Sequence, residues 1–181
     1  RAAALRHLAG DALLHSNRYA DARVFVDEWL AAQGRRDPAS DLHEGLARLA
    51  AGDFAGARDC LARQAAADSA DPMGRLAFLP GERGLLARLD GRPAASANAH
   101  FELKGHRDAH LVCVSNISLW PLYTFLRPTA DGWAGDFTLP PGKNWYAFTV
   151  DGRPLLDPEN PVHEMVPTED GPRELNVRVV E

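Results

Sequence analysis

The sequence offers little for chemistry on a thiol or a metal. Among its 181 residues are two cysteines, Cys60 and Cys113, one in each half. Both fall on apolar-patterned segments, which favours buried free thiols, although a disulfide between the halves stays open. The chain contains no CxxC pair, phosphate-binding glycine loop or GxSxG turn, and His163 and Glu164 do not begin an HExxH motif. We therefore expect no catalytic residue, no metal and no cofactor within these residues.

Long apolar runs and basic stripes are also missing. No apolar segment approaches the ~20 residues that span a membrane. Residues 1–97 carry 13 arginines, no lysine and 13 acidic residues, whereas residues 98–181 carry 7 basic and 12 acidic residues. Without a basic stripe to contact phosphates, we do not expect a nucleic-acid partner. Because the chain begins with Arg1 rather than Met, we expect a fragment or a processed form; the compartment stays open, with the cytoplasm slightly favoured.

Residues 111–161 carry the clearest strand pattern. Three β-patterned segments, 111–115, 133–139 and 145–150, are separated by Ala-Asp-Gly and Pro-Pro-Gly turn signals, and an Asp-Gly turn signal follows the last of them. In the last segment Tyr146 and Phe148 alternate with Trp145, so they point to opposite faces of a sheet. If Tyr146 and Phe148 are core residues, Trp145 points outward. An exposed tryptophan on a sheet face indicates a binding surface.

An ordered series of motifs lies in the same half of the chain. It runs from the opening strand at 101–105 through Gly132-Trp133 to LPPG at 139–142, YAFTVDG at 146–152 and DPENP at 157–161. Over 98–181 this series resembles the glycogen-binding module of the AMP-activated protein kinase β subunit. It is also similar to the early-set β-sandwiches that precede the catalytic domains of starch-branching and debranching enzymes. The resemblance implies an antiparallel, immunoglobulin-like β-sandwich that binds glucan without catalysis.

The glucan contacts that the resemblance implies are only partly present. Trp120 matches the first of the two tryptophans that bind glucan in the resembled module. Ala147 and Pro154 stand where its lysine and second tryptophan are expected, and Glu174 stands roughly where its asparagine is expected. Because Trp145 shares a face with Ala147, and sugar rings stack on indoles, we predict a rearranged platform. Its predicted carbohydrate-binding residues are Trp120, Trp145, Tyr123, Lys143 and Asn144.

Other interpretations of these residues stay open. Trp120 would instead cap the sandwich, and Trp145 would instead anchor a contact with the helical half. Trp133 is interpreted as a core or rim residue. Asp157 and Asn160 are interpreted as turn formers, because Asx residues beside prolines usually take that role.

The amino-terminal half shows an internal repeat. Residues 10–26 align with 45–61 at a shift of 35, with small residues, then an aromatic, then alanines at matching positions. This pattern resembles tetratricopeptide repeats, whose period is about 34 residues. A third, incomplete unit is predicted over 84–97, with a helix at 84–89 and a short continuation at 94–97. The predicted fold class is therefore α+β: tetratricopeptide-like helical hairpin repeats at 1–95, then the antiparallel immunoglobulin-like β-sandwich at 98–181.

Three functions follow from this organisation. The leading one is a non-catalytic carbohydrate-binding module, for an α-glucan or another glycan, joined to a helical-repeat interaction scaffold that binds a protein partner. The second is a protein–protein adaptor with a degenerate sugar site, in which an apolar patch would support a homodimer. The third is a regulatory appendage of a glycan-processing enzyme. A sugar platform requires Trp120 and Trp145 to be exposed and coplanar.

Overall fold

The computed structural model describes residues 21, 24, 25, 28, 31, 38–70, 80–92, 96–116, 121–168 and 171–181. The chain divides into two compact units, Arg1–Arg92, called here the helical unit, and Pro93–Glu181, called the β unit. Within the described part of the helical unit, three helices have defined bounds: α1 (Pro38–Ala50), α2 (Phe54–Ala70) and α3 (Pro80–Leu89). None of the described helices has the length and apolarity needed to cross a bilayer. The functional domains assigned to 1–95 and 98–181 stay predictions.

Helices α1 and α2 form a tight antiparallel hairpin. Gly52, at a φ of 77°, ends α1 in the left-handed conformation that glycine favours. Asp53 then begins α2, because its Oδ1 accepts a hydrogen bond from the Gly56 amide at 2.9 Å, as an N-cap does. At Gly45 a Cβ would lie 3.1 Å from the Leu61 Cγ, so the missing side chain lets the two helices approach closely.

The predicted fold class is wrong. The described residues form eight strands in two antiparallel sheets and three helices of defined bounds, and they contain no array of helical repeats. Most of the first predicted repeat, at 10–26, lies outside the described residues. The helix continuation predicted at 94–97 is absent where the structure describes it, since residues 96–98 are not helical and the first strand begins at Ala99. Gly91, at a φ of 74°, ends α3.

The β unit consists of two antiparallel sheets. One sheet has the strand order β1-β4-β3, and the other has the order β2-β5-β8-β7, with β6 also paired to β5. A short 3-10 helix, Pro121–Thr124, follows β2. The strands are β1 (Ala99–Lys104), β2 (Val112–Ser115), β3 (Arg127–Pro128), β4 (Gly132–Phe137), β5 (Gly142–Val150), β6 (Arg153–Leu155), β7 (His163–Thr168) and β8 (Gly171–Val180).

Aromatic side chains join the two sheets. The Phe101 ring on β1 lies 4.8 Å from the Tyr146 ring on β5 and 5.7 Å from the Phe137 ring on β4, both in edge-to-face contact. The guanidinium carbon of Arg178 lies 4.8 Å from the centre of the Phe101 ring. Trp133 is buried, and its Nε1 donates to the His106 carbonyl oxygen at 2.9 Å, so it is a core residue.

Candidate functional site

Strand β5 presents Trp145 on the outer side of its sheet. Tyr146 and Phe148 point into the core and are 2% and 0% exposed, whereas Trp145 is 38% exposed. Ala147 and Thr149 share the side of Trp145 but are buried. This side of β5 is therefore exposed to solvent only at the end of the strand that carries Trp145.

The strand register brings further side chains beside Trp145. Residues directly opposite each other in an antiparallel pair share one face of the sheet. Trp145 lies opposite Val177, and Leu175 lies opposite Glu164. The Val177 amide donates to the Val162 carbonyl oxygen at 2.9 Å. The pairing of β7 with β8 therefore extends one residue before His163 and places Val162 opposite Val177. We call this surface the Trp145 face; it consists of Lys143, Trp145, Val162, Glu164, Val177 and Val179.

A carboxylate holds the indole of Trp145 in place. Glu164 Oε2 accepts a hydrogen bond from Trp145 Nε1 at 3.1 Å, and Glu164 Oε1 accepts one from Lys143 Nζ at 2.7 Å. Because β8 lies between β5 and β7, these side chains reach each other across β8. Lys143 keeps two of its three N–H donors for other acceptors. The Trp145 face thus combines an oriented aromatic ring with an ammonium group at its edge.

The Lys143 ammonium holds the pKa of the Glu164 carboxyl below its ordinary value of 4.5, and the hydrogen bond from the Trp145 indole lowers that pKa further. Both groups favour the ionised carboxylate. Glu164 is therefore charged at neutral pH and accepts both hydrogen bonds there.

Acid is expected to release Trp145 from Glu164. Since the folded-state pKa is depressed, the contacts are complete above pH 4.5 and are lost as the pH falls through that lower pKa. Tryptophan emission of the whole chain should therefore change in this acidic window, and Glu164→Gln should remove the change while far-UV circular dichroism stays constant. An identical transition in the Gln variant would show that another group causes it.

The structure brings together only part of the predicted platform. Trp145 and Lys143 share the Trp145 face, whereas the side chain of Asn144 lies on the opposite face of β5. Its Nδ2 donates to the Pro140 and Gly142 carbonyl oxygens at 3.0 and 3.1 Å. Asn144 is thus a β5 residue whose side chain stabilises the turn at 140–142. Trp120 lies outside the described residues. Tyr123 belongs to the 3-10 helix, and its side chain is also outside what the structure describes.

Sequence reasoning missed Glu164 as a member of this site. Its proximity to His163 drew attention only to a metal motif that the sequence does not complete. The contact with Trp145 depends on the pairing of β7 with β8 and of β8 with β5, which a single sequence does not show. Strand alternation within β7 shows which face of the sheet carries the Glu164 side chain only once that register is known.

The residues of the DPENP segment support the fold. Tyr146 donates its hydroxyl hydrogen to Asp157 Oδ2 at 2.6 Å, and Asn160 Nδ2 donates to the Tyr146 hydroxyl oxygen at 3.0 Å. Burial, with a contribution from the Asp157 hydrogen bond, raises the pKa of Tyr146 to about 12. The phenol thus stays protonated at neutral pH and holds the segment on β5. Asp157 and Asn160 also accept hydrogen bonds from the amides of Glu159 and Val162, as turn residues do.

One buried group in the described part of the helical unit has metal-type ligand atoms. Asp41, Glu44 and Cys60 have such atoms within 4.8 Å of one another. Arg63 donates to Asp41 Oδ1 at 2.7 Å and to the Cys60 sulfur at 3.1 Å, and Arg48 pairs with Glu44 at 2.7 Å. Burial raises the pKa of the Cys60 thiol, which disfavours the thiolate that a metal requires. We interpret the group as an ion-pair network joining α1 to α2.

Both cysteines are buried, and neither forms a disulfide. The disulfide between the halves that the sequence left open is therefore not formed. Cys60 lies on α2 and Cys113 on β2.

Comparisons with known proteins give little beyond this geometry. No family model and no curated protein matches the sequence. Among solved structures, the chain is similar to a maltogenic amylase from S. marinus, with 20% identity and a TM-score of 0.41 over 49% of this chain. That similarity spans 15% of the amylase chain. At this distance it assigns no function, so the resemblances to the kinase module and to tetratricopeptide repeats rest on sequence motifs alone.

Proposed function

We propose that the β unit is a non-catalytic carbohydrate-binding unit whose ligand stacks on Trp145. The observation that carries this proposal is an exposed indole on a sheet face, held in one orientation by Glu164. The C–H-rich face of a pyranose ring suits the electron-rich face of an indole. An indole that is already oriented loses less conformational freedom when the sugar binds.

The surroundings of Trp145 fit the other needs of a sugar. Hydroxyl oxygens require directional donors, and Lys143 has two N–H groups that Glu164 does not use. Val162 and Val179 are 56% and 69% exposed and extend the apolar surface beside the indole. The sequence resemblance makes an α-glucan the first ligand to test. Trp120 and Tyr123 remain proposed members of the platform, and the helical unit has no part in this proposal.

Trp145→Ala is expected to weaken glycan binding at least about tenfold, which corresponds to ~1.4 kcal/mol for the lost stacking contact. Isothermal titration calorimetry of the whole chain with maltoheptaose, a soluble β-glucan and a peptidoglycan fragment would measure this loss and identify the glycan class. Met165→Ala is the matched control, because Met165 is 63% exposed on β7 but lies on the opposite side from Glu164. The proposal fails if no glycan binds the wild type or if Trp145→Ala binds as tightly.

The exposed valines favour a second candidate, a polypeptide-binding face. Trp145, Val162 and Val179 together form an apolar surface, and tryptophan is enriched among residues that dominate protein interfaces. A two-fold dimer through this face would bury Trp145. Sedimentation equilibrium of the wild type and of Trp145→Ala distinguishes this candidate: a dimer that Trp145→Ala dissociates, with no heat from any glycan, would replace the first proposal.

A further inference from the structure

The charges on the Trp145 face indicate which glycans it accepts. We propose that Glu164 is a specificity-determining residue that restricts this face to uncharged glycans and excludes acidic ones, such as polyuronates. This inference rests on the proposed glycan binding at Trp145. It goes further because it assigns the selection to one residue outside the predicted platform.

The first step concerns Lys143. An exposed ammonium beside an aromatic ring would attract the carboxylate of a uronic acid bound on that ring. In the structure, Lys143 Nζ already donates to Glu164 Oε1 at 2.7 Å. The side chains are 47% and 43% exposed, so a ligand can approach the pair. An acidic ligand would meet a cation that the protein's own carboxylate has neutralised.

The second step concerns repulsion. A ligand carboxylate placed at Lys143 would also lie close to the ionised Glu164, and like charges at close range oppose binding. Residues 98–181 carry 12 acidic and 7 basic residues, so the wider field of the β unit also disfavours an anion. An uncharged hydroxyl group meets neither obstacle. It accepts a hydrogen bond from one of the two remaining N–H groups of Lys143.

The third step separates the two roles of Glu164. Its Oε2 orients the indole through the hydrogen bond from Trp145 Nε1, and its negative charge neutralises Lys143. Glutamine at this position keeps a carbonyl oxygen for the indole and removes the charge. Alanine removes both. The two substitutions therefore test selectivity and indole position independently.

The experiment compares a neutral and an acidic oligosaccharide of equal length, maltoheptaose and heptagalacturonate, by calorimetry on the whole chain. The wild type should bind the uronate at least about tenfold more weakly than the neutral sugar. Glu164→Gln should keep the neutral affinity within about threefold and raise the uronate affinity about tenfold. That gain should shrink in added salt, as an interaction between exposed charges does. Glu164→Ala should weaken neutral binding, because the indole loses its partner.

Glu159→Gln is the matched control. Glu159 pairs with Lys104 at 2.6 Å, and the two side chains are 53% and 61% exposed, so the substitution breaks a similar surface ion pair away from Trp145. It should change neither affinity. An effect equal to that of Glu164→Gln would show that overall charge, rather than Glu164, sets the selectivity.

Failure of this inference differs from failure of the proposed function. If the neutral sugar binds and Glu164→Gln leaves the ratio of the two affinities unchanged, the inference is wrong and the glycan site stands. If the wild type binds neither sugar, the proposed function fails for these ligands. In that case a gain of uronate binding in Glu164→Gln would still support the selective role of Glu164, and no gain would overturn it.

Discussion

Replacing Phe101 with alanine is expected to lower the free energy of unfolding of the β unit by about 4 kcal/mol, the usual range for a buried phenylalanine being about 3–5 kcal/mol. Phe101 is 2% exposed. Its ring contacts Tyr146 in the five-stranded sheet and Phe137 in its own sheet, at centroid distances of 4.8 and 5.7 Å. The alanine variant would leave a cavity between the two sheets and remove the surface on which the Arg178 guanidinium rests.

Urea unfolding of the whole chain, followed by tryptophan emission, measures this loss, because three of the four tryptophans, at 120, 133 and 145, belong to the β unit. Phe101→Leu is the matched control, since it keeps most of the buried volume and should cost about 1 kcal/mol. Equal losses in the two variants would show that the edge-to-face contacts, rather than the cavity, determine the stability at this position.

Two strands of the β unit, one in each sheet, are largely predictable from sequence, because their signals are local. The segments predicted at 133–139 and 145–150 correspond to β4 (Gly132–Phe137) and β5 (Gly142–Val150). Gly142 adopts a φ of 101°, and the Asp-Gly pair at 151–152 adopts φ values of 47° and 83°. Conformations of this kind favour glycine and Asx residues, so the turns are readable from composition alone.

The helical repeat prediction was wrong because a repeat array depends on contacts between neighbouring units. One hairpin already satisfies the spacing at 45–61: Gly45 allows close approach of the helices, and Gly52 ends α1. Nothing in that local pattern requires another hairpin to follow. Among the described residues after α3, the chain turns at Gly91 and enters β1 at Ala99.

The polar part of the candidate site was less predictable than its aromatic part. Strand alternation within β5 already separates Asn144 from Trp145, so the placement of Asn144 on the platform overlooked a rule that the sequence supports. Glu164 is a different case. It lies 19 residues from Trp145 and on a strand that is not adjacent to β5, so its contact depends on two registers at once. Register follows from tertiary pairing, which local patterns do not determine.

Asn176→Ala is expected to destabilise the β unit by about 3 kcal/mol, since a buried polar group left without its partner costs about 1–3 kcal/mol. Asn176 is 0% exposed on β8. Its Oδ1 accepts a hydrogen bond from the Asp157 amide, and its Nδ2 donates to the Asn160 carbonyl oxygen, each at 2.7 Å. Alanine would leave both backbone groups without these side-chain partners.

The effect of Asn176→Ala should also reach the Trp145 face, because the segment that Asn176 anchors leads directly to Val162 and Glu164. Urea unfolding measures the global loss, and amide hydrogen exchange at Asp157 reports the local opening. Asn144→Ala is the matched control: its side chain also makes two hydrogen bonds to backbone groups, but both are exposed and water replaces them, so the substitution should cost below about 1 kcal/mol. Equal costs for the two asparagines would mean that water reaches the Asn176 site once the side chain is removed. The larger loss at Asn176, with faster exchange at Asp157, would show that this buried amide holds the 157–162 segment on β8 and thereby positions Glu164 beside Trp145.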